Sequence, residues 1–204
     1  MTKIKICGIR REEDIDIVND LRPEYVGFVF APSRRRISLK EAANLSRRLH
    51  PDICPVGVYV NAGTEDVVRA AELGVIRMVQ LHGQESAAQI RELKALLPAG
   101  VPVMKAVSME TGQELKRWQD SEADYLLLDA GSAGGGQLFD HRLLERAEEI
   151  RKPWFLAGGM NPDNAPEAIR RFTPYGIDVS SGVETDGYKD RKKVEMMIRR
   201  VRYE

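Results

Sequence analysis

The sequence predicts an α/β chain closed into a (β/α)8 barrel. Three observations carry this. Eight short apolar runs rich in Val, Ile, Tyr and Phe alternate with eight charged segments of helical period. The runs are nearly all apolar rather than alternating, which is the pattern of parallel strands covered by helices. The 204 residues divide into about 25 per repeat, and closed barrels of this kind begin near 200 residues. The competing arrangement, an open doubly wound sheet, usually has about five or six strands.

Taken in order, strands are expected at 3–8, 24–30, 54–60, 75–81, 101–107, 124–129, 153–158 and 175–180. Helices are expected near 11–21, 38–49, 64–73, 85–97, 111–121, 140–150, 162–172 and 190–202. The second helix opens Ser38-Leu39-Lys40-Glu41, a capping box in which hydroxyl and carboxylate each satisfy a free backbone N–H. Thr64 and Thr111 stand where N-caps belong. The last segment interleaves Met196, Met197, Ile198 and Val201 with charge, as an amphipathic helix does. Eight units with almost nothing added leave residues 1–204 as a single compact barrel domain, without length for a lid or regulatory module.

Lys plus Arg is 31 and Asp plus Glu is 31, so the net charge is zero. That balance removes a general basic footprint for nucleic acid or an anionic membrane. Two cysteines make no disulfide framework and point to a reducing, cytoplasmic compartment. The start is charged, unlike a signal peptide, and no apolar run approaches the ~18 residues of a membrane span. The three histidines are too scattered for metal-ligand spacing, so no metal is expected.

In such a barrel, active residues lie at the C-terminal ends of the strands. Cys7 ends the first strand and faces the mouth; Cys54 begins the third and belongs to the opposite, stabilising end. The bland reading of either cysteine is a small buried hydrophobe. Asp129 closes an apolar strand, as a mouth residue or as a cap for the next loop. Asp178, flanked by Ile177 and Val179, needs a partner or a place at the rim. His82 ends strand four, either as a structural group or as a substrate contact. Strand seven ends in Ala157-Gly158-Gly159 before Asn161-Pro162, and strand eight ends in Ser180-Ser181-Gly182. Small residues at both places let backbone N–H groups approach a phosphate, with room at 182–188 for an extra helical turn. Arg34, Arg35 and Arg36 follow strand two. A guanidinium there suits a carboxylate, although at least two of three adjacent side chains must lie at the surface.

The segments together resemble the phosphoribosylanthranilate isomerase family. The matches are Lys5-Ile6-Cys7-Gly8-Ile9, Val26-Gly27-Phe28-Val29-Phe30, Ser33 with Arg35 and Ile37, and Val56-Gly57-Val58. They continue through Val79-Gln80-Leu81-His82-Gly83, Leu127-Leu128-Asp129, Ala157-Gly158-Gly159 to Asn164, and Asp178-Val179-Ser180-Ser181-Gly182-Val183-Glu184. The resemblance implies an Amadori-type isomerisation of N-(5-phosphoribosyl)anthranilate without a cofactor, by a monomer or homodimer. It implies Cys7 as general base and Asp129 as general acid. It gives Arg35 (or Arg36, one residue on) to the anthranilate carboxylate, Gly159 and the Ser181–Gly182 turn to the phosphate, and Asp178 to the sugar hydroxyls.

The chemistry fits these residue types. A carboxylic acid can protonate the ribose ring oxygen, and a thiolate can then take the C2 proton. An ordinary thiol has a pKa near 8.5, so the mouth must favour the anion. Lys5 alternates to the same strand face as Cys7 and is the candidate cation. After strand six the family pattern is broken, with Gly135, inside the run Gly134–Gly136, where a Ser or Thr is usual and His141 where a Trp is usual. Altered affinity or loop closure is expected there. Two other functions remain at this level: a metal-dependent phosphosugar epimerase, which needs more mouth histidines, and a non-catalytic phosphate-ligand barrel, which needs neither Cys7 nor Asp129.

Overall fold

A computed structural model describes residues 1–108, 112–129 and 150–203. Eight parallel strands form a closed barrel in sequence order, the first pairing with the eighth. They are β1 (Lys3–Cys7), β2 (Tyr25–Val29), β3 (Cys54–Tyr59), β4 (Met78–Leu81), β5 (Val103–Ser108), β6 (Tyr125–Asp129), β7 (Trp154–Ala157) and β8 (Gly176–Val179). Seven helices are described: α1 (Glu12–Leu21), α2 (Leu39–Arg48), α3 (Thr64–Glu72), α4 (Ala87–Leu96), α5 (Gly112–Gln119), α6 (Ala165–Phe172) and α7 (Arg191–Tyr203). The expected helix at 140–150, the Thr111 cap, the Gly134–Gly136 run and His141 lie outside the described residues.

Alternation along each strand splits the core in two. Val56, Met78, Met104, Ala106, Leu127, Phe155 and Ala157 form the inner cluster. A larger layer lies between strands and helices, and α7 joins it through Val194, Met197, Ile198 and Val201. That spacing of three and four puts one helix face on the sheet. Cys54, Tyr25, Tyr125 and Tyr175 pack against the inner cluster at the N-terminal end, so Cys54 sits at the stabilising end as expected. Burial raises its thiol to about 11.

Local signals place the elements. The Ser38 hydroxyl accepts from the Glu41 amide, while the Glu41 carboxylate accepts from the Ser38 amide at 2.7 Å. Asp14 does the comparable work for α1, accepting from the amides of Arg10 and Arg11 at 3.1 and 3.2 Å. That contact steadies the loop that leaves β1 at Cys7. Three local expectations are corrected. Thr64 is the first helical residue of α3, and Gly63 occupies the cap. Residues 162–164 form a turn before α6, because the Asn161 carboxamide oxygen accepts from the Asp163 and Asn164 amides and shapes a tight Asx turn. Strand four begins at Met78 rather than 75, since Val75 and Ile76 bond back to Ala70 and are buried in the helix–strand connection.

The segment after β8 is also corrected. The short helical turn is at Ser181–Val183, earlier than 182–188. The remaining length is a two-stranded hairpin, β9 (Glu184–Thr185) and β10 (Tyr188–Lys189). Asp186 and Gly187 form its turn with φ of 52° and 78°, the left-handed pair that matches hairpin twist. Among the described residues no helix is long and apolar enough to cross a membrane.

Candidate active site

The C-terminal ends of the strands gather polar groups above the apolar inner cluster. Cys7, the last residue of β1, is in register with Gly27 of β2. A Cβ on Gly27 would sit 2.7 Å from the Cys7 sulfur, so the bare glycine makes room for the thiol. Lys5, one inward position earlier, is completely buried. Its ammonium donates to Asp178 Oδ1 at 2.9 Å and acts electrostatically on the Cys7 thiol. Asp178 thus finds the partner that its apolar strand demanded. Closure of β1 against β8 makes this contact, with Lys5 in register with Asp178.

Burial pushes the Cys7 thiol up, and Asp178 adds to this; Lys5 and Lys189 pull it down without cancelling the shift. Burial draws the Lys5 ammonium down, but Asp178 and Cys7 outweigh it, so it stays a cation.

Asp129 ends β6, with its carboxylate part-exposed toward the mouth. His82 Nε2 lies 3.3 Å from Asp129 Oδ2, and His82 Nδ1 lies 3.0 Å from Gln80 Nε2. With the Gln80 amide donating to Nδ1, the N–H of Nε2 faces Asp129, a tautomer assigned from this pattern. The loop carrying His82 is held from below. Lys105 donates to the Gly83 carbonyl at 2.6 Å and to Glu85 at 2.8 Å. Glu85 in turn accepts from the Asn61 and Gly83 amides. Burial acts to raise the Glu85 carboxyl, but Lys105 and the amides hold it below its usual range.

The arginine run resolves into one inward and two outward residues. Arg34 and Arg36 are exposed, while Arg35 lies across Gly8, immediately after Cys7. The Ser33 hydroxyl accepts from the Arg35 amide and shapes this turn. Gly8 has φ of +88°, and a Cβ there would collide with the Arg35 stem, so glycine is required on two counts. The loops after β7 and β8 meet at Gly182, where a Cβ would strike the Met160 carbonyl and lie 3.0 Å from Asn161. Gly158 and Gly159 have φ of +88° and +65°. Ser180 donates its hydroxyl to the Cys7 carbonyl at 3.0 Å, tying this loop to the thiol. Among the described residues no group of three or more His, Cys, Asp or Glu is placed to hold a metal ion.

Residues 4–200 match the family model described as N-(5'-phosphoribosyl)anthranilate (PRA) isomerase. The chain belongs to the phosphoribosylanthranilate isomerase family. A relative named N-(5'-phosphoribosyl)anthranilate isomerase from Clostridium acetobutylicum is 43% identical, covering 99% of this chain and 98% of its own. Another of that name from Acetivibrio thermocellus is 42% identical over 99% and 96%. The crystal structure of phosphoribosyl anthranilate isomerase from Thermotoga maritima superposes with a TM-score of 0.87, at 35% identity and 98% coverage of both chains. A further structure, in complex with reduced 1-(o-carboxyphenylamino)-1-deoxyribulose 5-phosphate, gives 0.85 at 34% identity, again with 98% of both chains covered. A 3-hexulose-6-phosphate synthase at 14% identity shares the fold alone, with a TM-score of 0.74.

Several residues of this family site escaped the sequence reading. Lys105 and Glu85 carry the His82 loop, and Lys105 was legible as an ionisable residue in an otherwise apolar strand. Gln80 offered the same clue in β4. The Glu184–Lys189 hairpin was announced by Asp186-Gly187, the dipeptide that favours a two-residue turn.

Proposed function

We propose that this barrel performs the isomerisation of its family with Cys7 as general base and Asp129 as general acid. The substrate is N-(5-phosphoribosyl)anthranilate and the product 1-(2-carboxyphenylamino)-1-deoxyribulose 5-phosphate. One observation carries the residue roles. Cys7 and Asp129 end strands that flank β7 and β8, and the two glycine-lined loops after β7 and β8 touch between them.

A phosphate anchored on the backbone of Gly158, Gly159, Ser181 and Gly182, beside Ser180, holds the ribose between acid and base. Asp129 donates a proton to the ring oxygen, the C1–O bond breaks, and the anilino nitrogen carries the resulting iminium. The Cys7 thiolate removes the C2 proton, and the electron pair neutralises the iminium as an enolamine. Tautomerisation returns a proton to C1 from Cys7 and passes the C2 hydroxyl proton to Asp129, which restores both groups. His82 is the titratable neighbour that steadies Asp129. Asp178, held by Lys5, faces the sugar hydroxyls, and Arg35 takes the anthranilate carboxylate.

The thiol must lose its proton before it can act as base, so the pH–rate profile is expected to carry the thiol's own titration. The test is a continuous assay of phosphoribosylanthranilate fluorescence with Cys7→Ala and Asp129→Asn. Each variant is expected to lose at least about 100-fold in kcat, the usual contribution of a positioned acid or base. Full activity in either one removes that residue from the mechanism.

A further inference from the structure

Glu184 ends the motif after β8, and its carboxylate is nearly buried beside the mouth. It receives four donors from three cations. Arg35 engages it bidentately, Nε to Oε1 at 2.7 Å and Nη2 to Oε2 at 2.8 Å. Arg34 donates to Oε2 at 3.1 Å, and the buried Lys189 donates to Oε1 at 2.8 Å. Burial acts to raise this carboxyl, but Arg35 and Lys189 overcome it and hold it at about 2.

The partners reach Glu184 from separate loops. Arg34 and Arg35 follow β2, while Lys189 is the cross-strand partner of Glu184 in the hairpin. Lys189 also donates to the Ser180 carbonyl at 3.0 Å, inside the loop assigned to the phosphate. Arg10 closes the triangle from the β1 loop, donating to the Arg34 carbonyl at 3.0 Å and the Gly187 carbonyl at 2.8 Å. One carboxylate against three cations leaves a surplus of positive charge at the rim. Two of the five guanidinium N–H groups of Arg35 are spent on Glu184, and the remainder are left for a second carboxylate.

We propose that Glu184 is a positioning residue that fixes Arg35 as a fork selective for a carboxylated aryl group. A long side chain left free over Gly8 would sample many rotamers, and ordering it would cost binding energy. Held by two bonds in one plane, it presents its outer edge in a single orientation. This proposal rests on the reading of Arg35 as the holder of the substrate carboxylate.

Two probes separate the cases: the reduced carboxyphenylamino ligand named above, and the same compound without its carboxylate. Wild type is expected to prefer the carboxylated probe. In Glu184→Gln that preference falls about tenfold or more, since Arg35 loses the charge that holds its guanidinium in place. Affinity for the probe without the carboxylate changes less than about twofold on the same ground. KM for phosphoribosylanthranilate rises more than kcat falls. Glu184→Asp keeps the charge and shortens the reach; it should lose part of the preference, and it carries the test if Glu184→Gln does not fold. Equal weakening of both probes, or an unchanged preference, overturns the proposal, as does tighter binding of the carboxylated probe in Glu184→Gln. A wild type indifferent to the carboxylate removes the reading of Arg35 itself, and the proposal with it.

Discussion

Replacing Gly27 by Ala tests whether the position of the Cys7 sulfur sets the rate. Gly27 has an ordinary strand backbone, so alanine carries no conformational strain there. The new methyl would lie 2.7 Å from the sulfur, 3.1 Å from the Cys7 Cα and 3.3 Å from its Cβ. Packed carbon atoms rest at about 3.5–4.0 Å, so the thiol must move by about 1 Å. It cannot swing away freely, because the sulfur is only one bond beyond the Cβ that is also crowded. Overpacking of this kind costs roughly 1–3 kcal/mol, offset by about 0.4–1 kcal/mol from a less flexible unfolded chain. At roughly 2–4 °C per kcal/mol for a chain of this size, the melting temperature falls by only a few degrees. A displacement near 1 Å at the reacting atom is worth about 100-fold in rate. The fluorescence assay should therefore show kcat down about 100-fold, with KM nearly unchanged because the phosphate and carboxylate anchors are untouched. In a Cys7→Ala background the same substitution should cost little more, since the atom it displaces is gone. A folded Gly27→Ala enzyme with wild-type kcat would refute the reasoning, as would a full second loss in the double variant.

Three further expectations follow from the contacts. Lys5→Met, made in an Asp178→Asn background so that no buried carboxylate is left unpaired, should move the thiol's titration in the kcat/KM profile to higher pH than in Asp178→Asn alone, because Lys5 pulls the thiol down while Asp178 pushes it up; a titration unmoved from that background excludes Lys5 from tuning the base. Glu184 binds its proton less readily folded than unfolded. Its contribution to stability is full above its ordinary 4.5 and is lost as pH falls toward about 2. Denaturation midpoints measured across that window should fall less steeply in Glu184→Gln, and parallel slopes would contradict the assignment. Ser38→Ala removes one half of the α2 capping box and should cost about 1 kcal/mol, read as a lower thermal midpoint with unchanged kcat, because α2 lies outside the barrel.

Much of the site could be read from the chain because a parallel barrel converts order into place. A residue that ends a strand faces the mouth and one that begins a strand faces the floor, which separates Cys7 from Cys54 without any coordinates. The same rule brought Asp129 and the loops after β7 and β8 to one end. The boundaries that slipped did so where burial is not strand. Val75 and Ile76 are apolar because the helix connection covers them, and an apolar run cannot say which layer it fills. The extra turn after β8 was expected too late because its signal, spare length, does not say how the length is spent. Asp186-Gly187 spends it on a hairpin.

The sequence alone determined the eight-unit architecture, the capping box at Ser38 and the direction in which each strand points its terminal residue. These depend on period, on local hydrogen bonding and on chain direction, all of which act between near neighbours. Only the tertiary structure decided that Lys5 meets Asp178, that Arg35 rather than Arg36 lies across Gly8, and that Glu184 gathers Arg34, Arg35 and Lys189. The Lys5 and Glu184 contacts to distant strands join residues about 150 to 173 positions apart. They exist because closure sets β1 against β8, and because glycines at 8, 27 and 182 leave space where a single methyl would force the loops apart.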